Sequence, residues 1–301
     1  LIYLIPGNDE KLDVTTDLEY VNTSAETNPI FLMDKNSYVA LTEVVLSSEQ
    51  IEAKARELLS ILTVGGSDSK IPSGFSAIIP PDTQILSLKY ENGLIKVDFS
   101  SDLLDIDESL EEKMVEAIVY TLTSVDDVNK VIIYVEGEIL SKLPKTKINL
   151  PSTLDRSFGV NKEYEFTSTH GINDVTIYYV NEINDKYYYV PVTKYLNDNR
   201  DKITIIIDEL TANSNYNSKL MSFLNEEAQL VSSQVNDKVM SLDFNDYLFD
   251  DVTTQEVLEE VIYTICLSVY DNYDIDEVVL SVDNKEIYKT TMKSLESNRK
   301  I

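Results

Sequence analysis

Cysteine occurs once in this 301-residue chain, at Cys266, and tryptophan does not occur at all. One cysteine excludes an intrachain disulfide and any multi-cysteine metal site. It leaves the compartment open, because an exported domain with an adequate core needs no disulfide. Histidine also occurs once, at His170, so any histidine-based triad would have to use that residue. With 8 Gly and 8 Pro the chain is neither fibrous nor of low complexity. No run of about 20 apolar residues is present, so no segment reads as a membrane-spanning helix. Basic residues are scarce, 25 Lys and Arg against 53 Asp and Glu, which sets the net charge at -28. Phosphate backbones and anionic lipid would be repelled, which argues against nucleic acid as a partner. No Gly-rich phosphate loop, HExxH or GxSxG motif occurs, so nucleotide hydrolysis, zinc proteolysis and serine hydrolysis lose their usual starting points.

What is present is a chain of 43% apolar residues, about long enough for two domains with separate cores. It contains itself twice. VDFSSDLL (97–104) matches LDFNDYLF (242–249), placing Asp98 opposite Asp243 and Phe99 opposite Phe244. AIVYTL (117–122) matches EVIYTI (260–265), which aligns Tyr120 with Tyr263 and Thr121 with Thr264. VIIYVEG (131–137) pairs with VVLSVDN (278–284), and 73–88 lines up without a gap on 218–233. Several matches in one order at a nearly constant offset indicate a duplicated fold.

Each copy then constrains the other. The first reads as two strands (IFLM at 30–33, and 39–45), a helix after Ser47, a hairpin turning at Asn92-Gly93, a helix over 109–124 and a closing strand. Ser47/Gln50, Ser109/Glu112 and Thr253/Glu256 have capping-box spacing. In the second copy DVTIYYV and KYYYVPV read as strands, with a hairpin around Asn236-Asp237. The isoleucine run of 201–210 looks like a strand, but the repeat places it opposite a helix, and the repeat decides. The expected class is α+β, a two-layer α/β arrangement: tandem domains, each a small mostly antiparallel or mixed sheet packed on two helices. The expected boundaries are an N-terminal extension at 1–28, a first domain at 29–140, a mostly extended connector at 141–172, a second domain at 173–292 and a tail at 293–301.

The residues that carry these matches resemble the GerM domain of bacterial sporulation and spore-germination proteins. Ile79, Pro80, Pro81, Asp82 and Thr83 lead into a strand, followed by the hairpin ending VDFS, the helix with IVYTLTSVDDVNKV and the terminal VIIYVEG. The connector LPSTLDRSFGVNKEYEF is similar to the segment joining tandem copies in that family. The second copy departs from the pattern, with Asn225, Glu226 and Glu227 in place of Pro80, Pro81 and Asp82. The resemblance implies a non-catalytic, extracytoplasmic scaffold or protein-interaction module associated with sporulation or germination. Its implied partner is an envelope or sporulation protein or another copy of itself. Membrane attachment, as a lipoprotein, is implied only through a segment preceding Leu1.

Among single residues, His170 lies in the STHG connector with no nucleophile motif beside it, and Cys266 stands between Ile265 and Leu267 as a small core side chain. Asp98 and Asp243 are repeated carboxylates at strand ends, where a side chain can accept backbone hydrogen bonds from a turn. The acidic stretches 102–107 and 246–251 lack the Gly and terminal Glu of a calcium loop and read as a solvated rim. No catalytic residue, metal site or cofactor is assigned. Tyr178, Tyr187, Tyr188 and Tyr189 form the aromatic candidate for an interaction surface. Alternation puts Tyr188 on the face opposite Tyr187 and Tyr189. If exposed, these rings would suit a protein partner or cell-wall glycan. A glycan or small-ligand module is therefore the alternative to the scaffold, and an enzyme with an acidic inter-domain cleft ranks third.

Overall fold

A computed structural model describes residues 27–212 and 219–291. Almost all of the expected extension at 1–28, and the tail at 293–301, lie outside these residues. The first copy opens with the hairpin β1 (Thr27–Asp34) and β2 (Val39–Val45), followed by α1 (Ile51–Leu62) and the short β3 (Phe75–Ser76). A second hairpin follows, β4 (Ile85–Glu91) and β5 (Leu94–Phe99), then α2 (Glu108–Leu122), β6 (Lys130–Val135) and β7 (Glu138–Ile139). After β8 (Glu163–Glu165) in the connector, the second copy repeats the order. It comprises β9 (Asn173–Ile183), β10 (Lys186–Leu196), α3 (Lys202–Thr211), β11 (Leu230–Asn236), β12 (Val239–Phe244), α4 (Glu259–Asn272), β13 (Glu277–Val282) and β14 (Lys285–Thr291). The isoleucine run is thus helical, with Ile203, Ile205, Ile206, Ile207 and Leu210 buried.

Each copy has a four-stranded mixed sheet, β4-β5-β6-β7 or β11-β12-β13-β14. Its middle pair is parallel, β5 with β6 and β12 with β13. Parallel neighbours require a crossover, and α2 and α4 supply it. Both helices are buried on all sides along part of their length, with Ala117 to Leu122 and Tyr263 to Val269 buried without a break. A helix with that pattern is packed on several sides.

The N-terminal hairpins do not join these sheets. They merge into a third, shared sheet in which β2 meets β10 antiparallel at Leu41 and Tyr189. One edge of β10 is paired in full by β9. The other is divided between β2 and β8, whose parallel pairing covers Lys194 to Leu196.

The hydrogen bonds at the outer edges of β1 and β9 fix which helix positions correspond. Phe31 N donates to Thr121 Oγ1 at 3.0 Å, and Tyr178 N donates to Ser268 Oγ at 2.9 Å. Beside them, Met33 pairs with Ser76 and Val180 bridges to Met221. The structural counterpart of Thr121 is therefore Ser268, four residues and about one helical turn beyond the Thr264 that the letters align. On this register Cys266 faces the role of Val119, and both side chains are fully buried.

The capping boxes are not formed. The N-caps of α1, α2 and α4 are Gln50, Asp107 and Leu258, none with a side-chain cap bond. Ser47 N instead donates to the Glu57 carboxylate, and Thr253 N to Asp251 Oδ1. The tight turn between β11 and β12 falls at Asp237 and Lys238, both at positive φ, one residue beyond the expected place.

Candidate functional site at the domain junction

The connector is ordered rather than a loose spacer: it buries Leu143, Leu150, Leu154, Val160 and Asn161. Glu111 of α2 fixes its start, accepting from Lys145 N at 2.9 Å and from Thr146 N and Oγ1 at 2.7 Å each. These donors outweigh the burial that acts to raise the Glu111 carboxyl, and hold it below its ordinary range.

Further on, Arg156 inserts between the copies. Its guanidinium donates to Thr123 Oγ1 at 3.1 Å and Ser124 Oγ at 2.7 Å in the first copy. In the second it pairs with the Asp271 carboxylate and reaches Tyr178 OH at 3.3 Å. Tyr178 OH in turn donates to Asp271 Oδ2 at 2.9 Å. The guanidinium also lies 4.9 Å from the Tyr120 ring centroid and 5.5 Å from that of Phe31. On the register set by Thr121 and Ser268, Ser124 and Asp271 are counterparts, as are Phe31 and Tyr178. One arginine thus touches equivalent positions of both copies, and the copies differ there in polarity.

Asn161 closes the gap in the shared sheet. Its amide donates to Val39 O and Pro191 O, each at 2.8 Å, and accepts from Val39 N at 2.9 Å. Its φ of 45° is one that asparagine tolerates better than most residues. Asn161 N donates to Glu116 Oε2 at 3.0 Å, and Lys162 sits 2.6 Å from Glu112 and 3.8 Å from Glu116. Burial pushes Glu116 up to about 7, against the opposing pull of Lys162 and the Asn161 N–H. Lys194, likewise buried, is ringed by Glu209 at 2.8 Å, Glu165 at 3.0 Å and Glu163 at 3.7 Å.

Most of the tyrosine candidates are buried at this junction, so they do not form an exposed aromatic surface. Tyr178, Tyr188 and Tyr189 are 1%, 6% and 8% exposed, and only Tyr187 of the four is open, at 48%. Tyr188 OH donates to Asp34 Oδ2 at 2.7 Å, joining β10 of the second copy to β1 of the first. Tyr189 stacks on Tyr263 at 5.3 Å, and Tyr187 meets Phe223 edge-on at 5.2 Å. Both faces of β10 are covered because α4 of its own domain takes the Tyr189 face and the first domain, through Asp34 and Phe75, takes the Tyr188 face. The most exposed tyrosine lies elsewhere: Tyr164, 64% exposed, stacks on the half-buried Tyr195 at 5.1 Å. The EYEF run in the connector was the available signal for that pair.

Asp98 Oδ1 accepts from Gly137 N at 3.0 Å, and Asp243 Oδ1 from Asn284 N at 2.8 Å. Both donors sit in two-residue turns at positive φ, so each carboxylate fixes the hairpin that ends its sheet. The two act in separate domains and do not converge. His170 is exposed in a loop, and its main-chain N donates to Ser168 Oγ. Cys266 is buried, which pushes its thiol up. Among the described residues no group of three or more His, Cys, Asp or Glu is arranged to hold a metal ion, and no helix is long and apolar enough to cross a membrane.

Two duplicated domains with this strand order, locked by their connector, define a tandem α+β protein. The chain belongs to the family described as "Germane: Sporulation and spore germination", which matches residues 27–141 and 176–288. It is 33% identical over 267 residues to the spore germination protein GerM of Bacillus subtilis (strain 168), covering 85% of this chain and 71% of that protein. Its fold is similar to the solved tandem GerMN domains of the sporulation protein GerM from Bacillus subtilis. That likeness has a TM-score of 0.78 and 30% identity, and covers 86% of this chain and 91% of the other.

Proposed function

We propose that this chain is a non-catalytic, extracytoplasmic scaffold that presents two GerM domains in one fixed orientation to sporulation or germination proteins of the cell envelope. The observation that carries this reading is the junction. Arg156, Asn161 and the shared sheet spend buried polar groups on holding the domains together, and rigid presentation lowers the ordering cost of binding. The family relationship across both copies supports the biological setting. In this reading the full-length protein is held at the membrane as a lipoprotein, outside the cytoplasm.

The test is complementation. The chain, fused to the N-terminal segment of Bacillus subtilis GerM, is expressed in cells lacking that protein, and heat-resistant spores that germinate are counted. Restored counts support a shared scaffold role. A stable, exported chain that restores nothing refutes it.

Cell-wall glycan binding remains as a second reading, favoured by the exposed Tyr164, stacked on half-buried Tyr195, rather than by the junction tyrosines. Calorimetric titration with soluble glycan fragments tests it, and Tyr164→Ala should abolish any heat observed.

A further inference from the structure

Sheet edges are where proteins invite strand pairing, and most edges here are blunted. β4 carries Lys89 and Glu91, and its Tyr90 N donates to Glu52 Oε1 of α1 at 2.9 Å. β14 carries Lys285, Glu286 and Lys289, and β8 has Glu163 and Glu165. β9 carries Asp174 and Glu182 and is bridged through Val180 to Met221. β3 and β7 are two residues long. β11 differs from all of these. It forms the outer edge of its sheet, and residues 228–236 (AQLVSSQVN) hold no charge in a chain of net charge -28. Every residue from Val231 to Asn236 is exposed, Val231 by 64% and Val235 by 49%. The first turn of α3 offers no acidic residue to do for β11 what Glu52 does for β4.

We propose that β11 is a homotypic docking edge, pairing antiparallel with β11 of a second copy to join two four-stranded sheets into one. This rests on the scaffold reading and names its partner. The register follows from the hairpin. Asn236 pairs with Val239 across a two-residue turn, so main-chain groups of Ser233 and Val235 point away from β12. Tyr90, the counterpart of Val235 in β4, shows the same outward N–H. A two-fold axis at Ser233 sets Ser233 against the partner's Ser233 and Val231 against the partner's Val235. The nearest charges, Asp237 and Lys238, then fall opposite Gln229 and Ala228, so no like charges meet. The bulge at Val231 is not a guard peculiar to this edge, because β4 has one at the matching place. The contact is small beside a standard interface of roughly 1,600 Å². It strengthens where copies are confined on one membrane and their effective concentration rises.

The probe is the 301-residue chain carrying Ser233→Cys, treated with a short bis-maleimide. Cys266 is buried and does not compete. Covalent dimer is expected from Ser233→Cys and not from Lys89→Cys on the β4 edge. In parallel, light scattering across concentration should show mass rising for the unmodified chain and constant for Ser233→Pro, which removes an outward N–H that the β11–β12 ladder does not use. Equal cross-linking of the two cysteine variants, or unchanged association of Ser233→Pro, overturns the edge while leaving self-association through another surface. A strict monomer without cross-links also overturns it, and the spore complementation then decides the scaffold reading by itself. If Ser233→Pro loses its far-UV spectrum, the cross-linking pair still decides.

Discussion

Asp271→Asn is the sharpest perturbation of the junction, because it removes a charge and little else. The Asp271 side chain is 2% exposed and that of Arg156 21%. Burial pulls the proton affinity of Arg156 down, and Asp271, followed by Tyr178 and Tyr120, more than reverses it. An asparagine keeps the shape and can still accept from Tyr178 OH, but it leaves the guanidinium without its counter-charge. Breaking a buried ion pair by removing one partner costs about 3–5 kcal/mol. Arg156 retains some contact with water and keeps the Thr123 and Ser124 hydroxyls, so the lower end, about 3 kcal/mol, applies. At roughly 2–4 °C per kcal/mol for chains approaching this size, Tm should fall by about 6–12 °C.

The assay is urea unfolding followed by far-UV circular dichroism, with calorimetry for Tm, on four proteins: the parent, Asp271→Asn, Arg156→Met and the double variant. Arg156→Met strands Asp271 as Asp271→Asn strands Arg156, so each single change is costly. The double variant has neither stranded charge and should recover at least about 2 kcal/mol over additivity. A loss below about 1 kcal/mol for Asp271→Asn, or strictly additive singles, would refute the claim that this pair locks the domains.

Glu116→Gln tests the buried carboxyl beside it. The folded value near 7 lies above the ordinary 4.5, so its stabilising contribution is fully present below pH 4.5 and disappears as pH rises through 7. That amounts to roughly 3 kcal/mol, and urea midpoints at pH 5 and 8 should converge for Glu116→Gln relative to the parent; parallel shifts would rule the group out. Asn161→Ala strands Val39 O, Pro191 O and Val39 N, and should cost about 3 kcal/mol in the same melts; a change within about 0.5 kcal/mol would mean that water replaces the amide. Cys266 should resist a maleimide in the native protein and react fully in denaturant, as read by mass; prompt native labelling would contradict its burial.

The duplication made most of the fold legible, and each exception has a physical reason in the structure. Isoleucines at 203 and 205–207 favour a strand by propensity, yet the helix is correct because the opposite copy has one at that place. Capping-box spacing misled at all three helices: Glu57 and Asp251 capture the Ser47 and Thr253 amides that the motif assigns to the Gln50 and Glu256 side chains, and Ser109 falls inside α2, whose N-cap is Asp107. The tyrosines misled for a non-local reason. Alternation along β10 can separate two faces, but the Tyr189 face is covered by Tyr263 on α4 of its own domain, and the Tyr188 face is closed by Asp34 and Phe75 of the other domain. Arg156 carried no sequence signal beyond membership of a connector similar to the family's, since its partners are scattered from Phe31 to Asp271.

The helix register is the most instructive failure. Matching YT at 120–121 to YT at 263–264 maximises identical letters, whereas the fold keeps a hydroxyl opposite a strand amide and accepts either Thr121 or Ser268 to supply it. An unpaired N–H at the edge of β1 or β9 is costlier than a changed side chain that preserves the acceptor. The chain therefore conserves the hydrogen bond and lets the letters drift by one turn. This drift makes the copies unequal at Ser124 and Asp271, and that inequality lets a single arginine bind both.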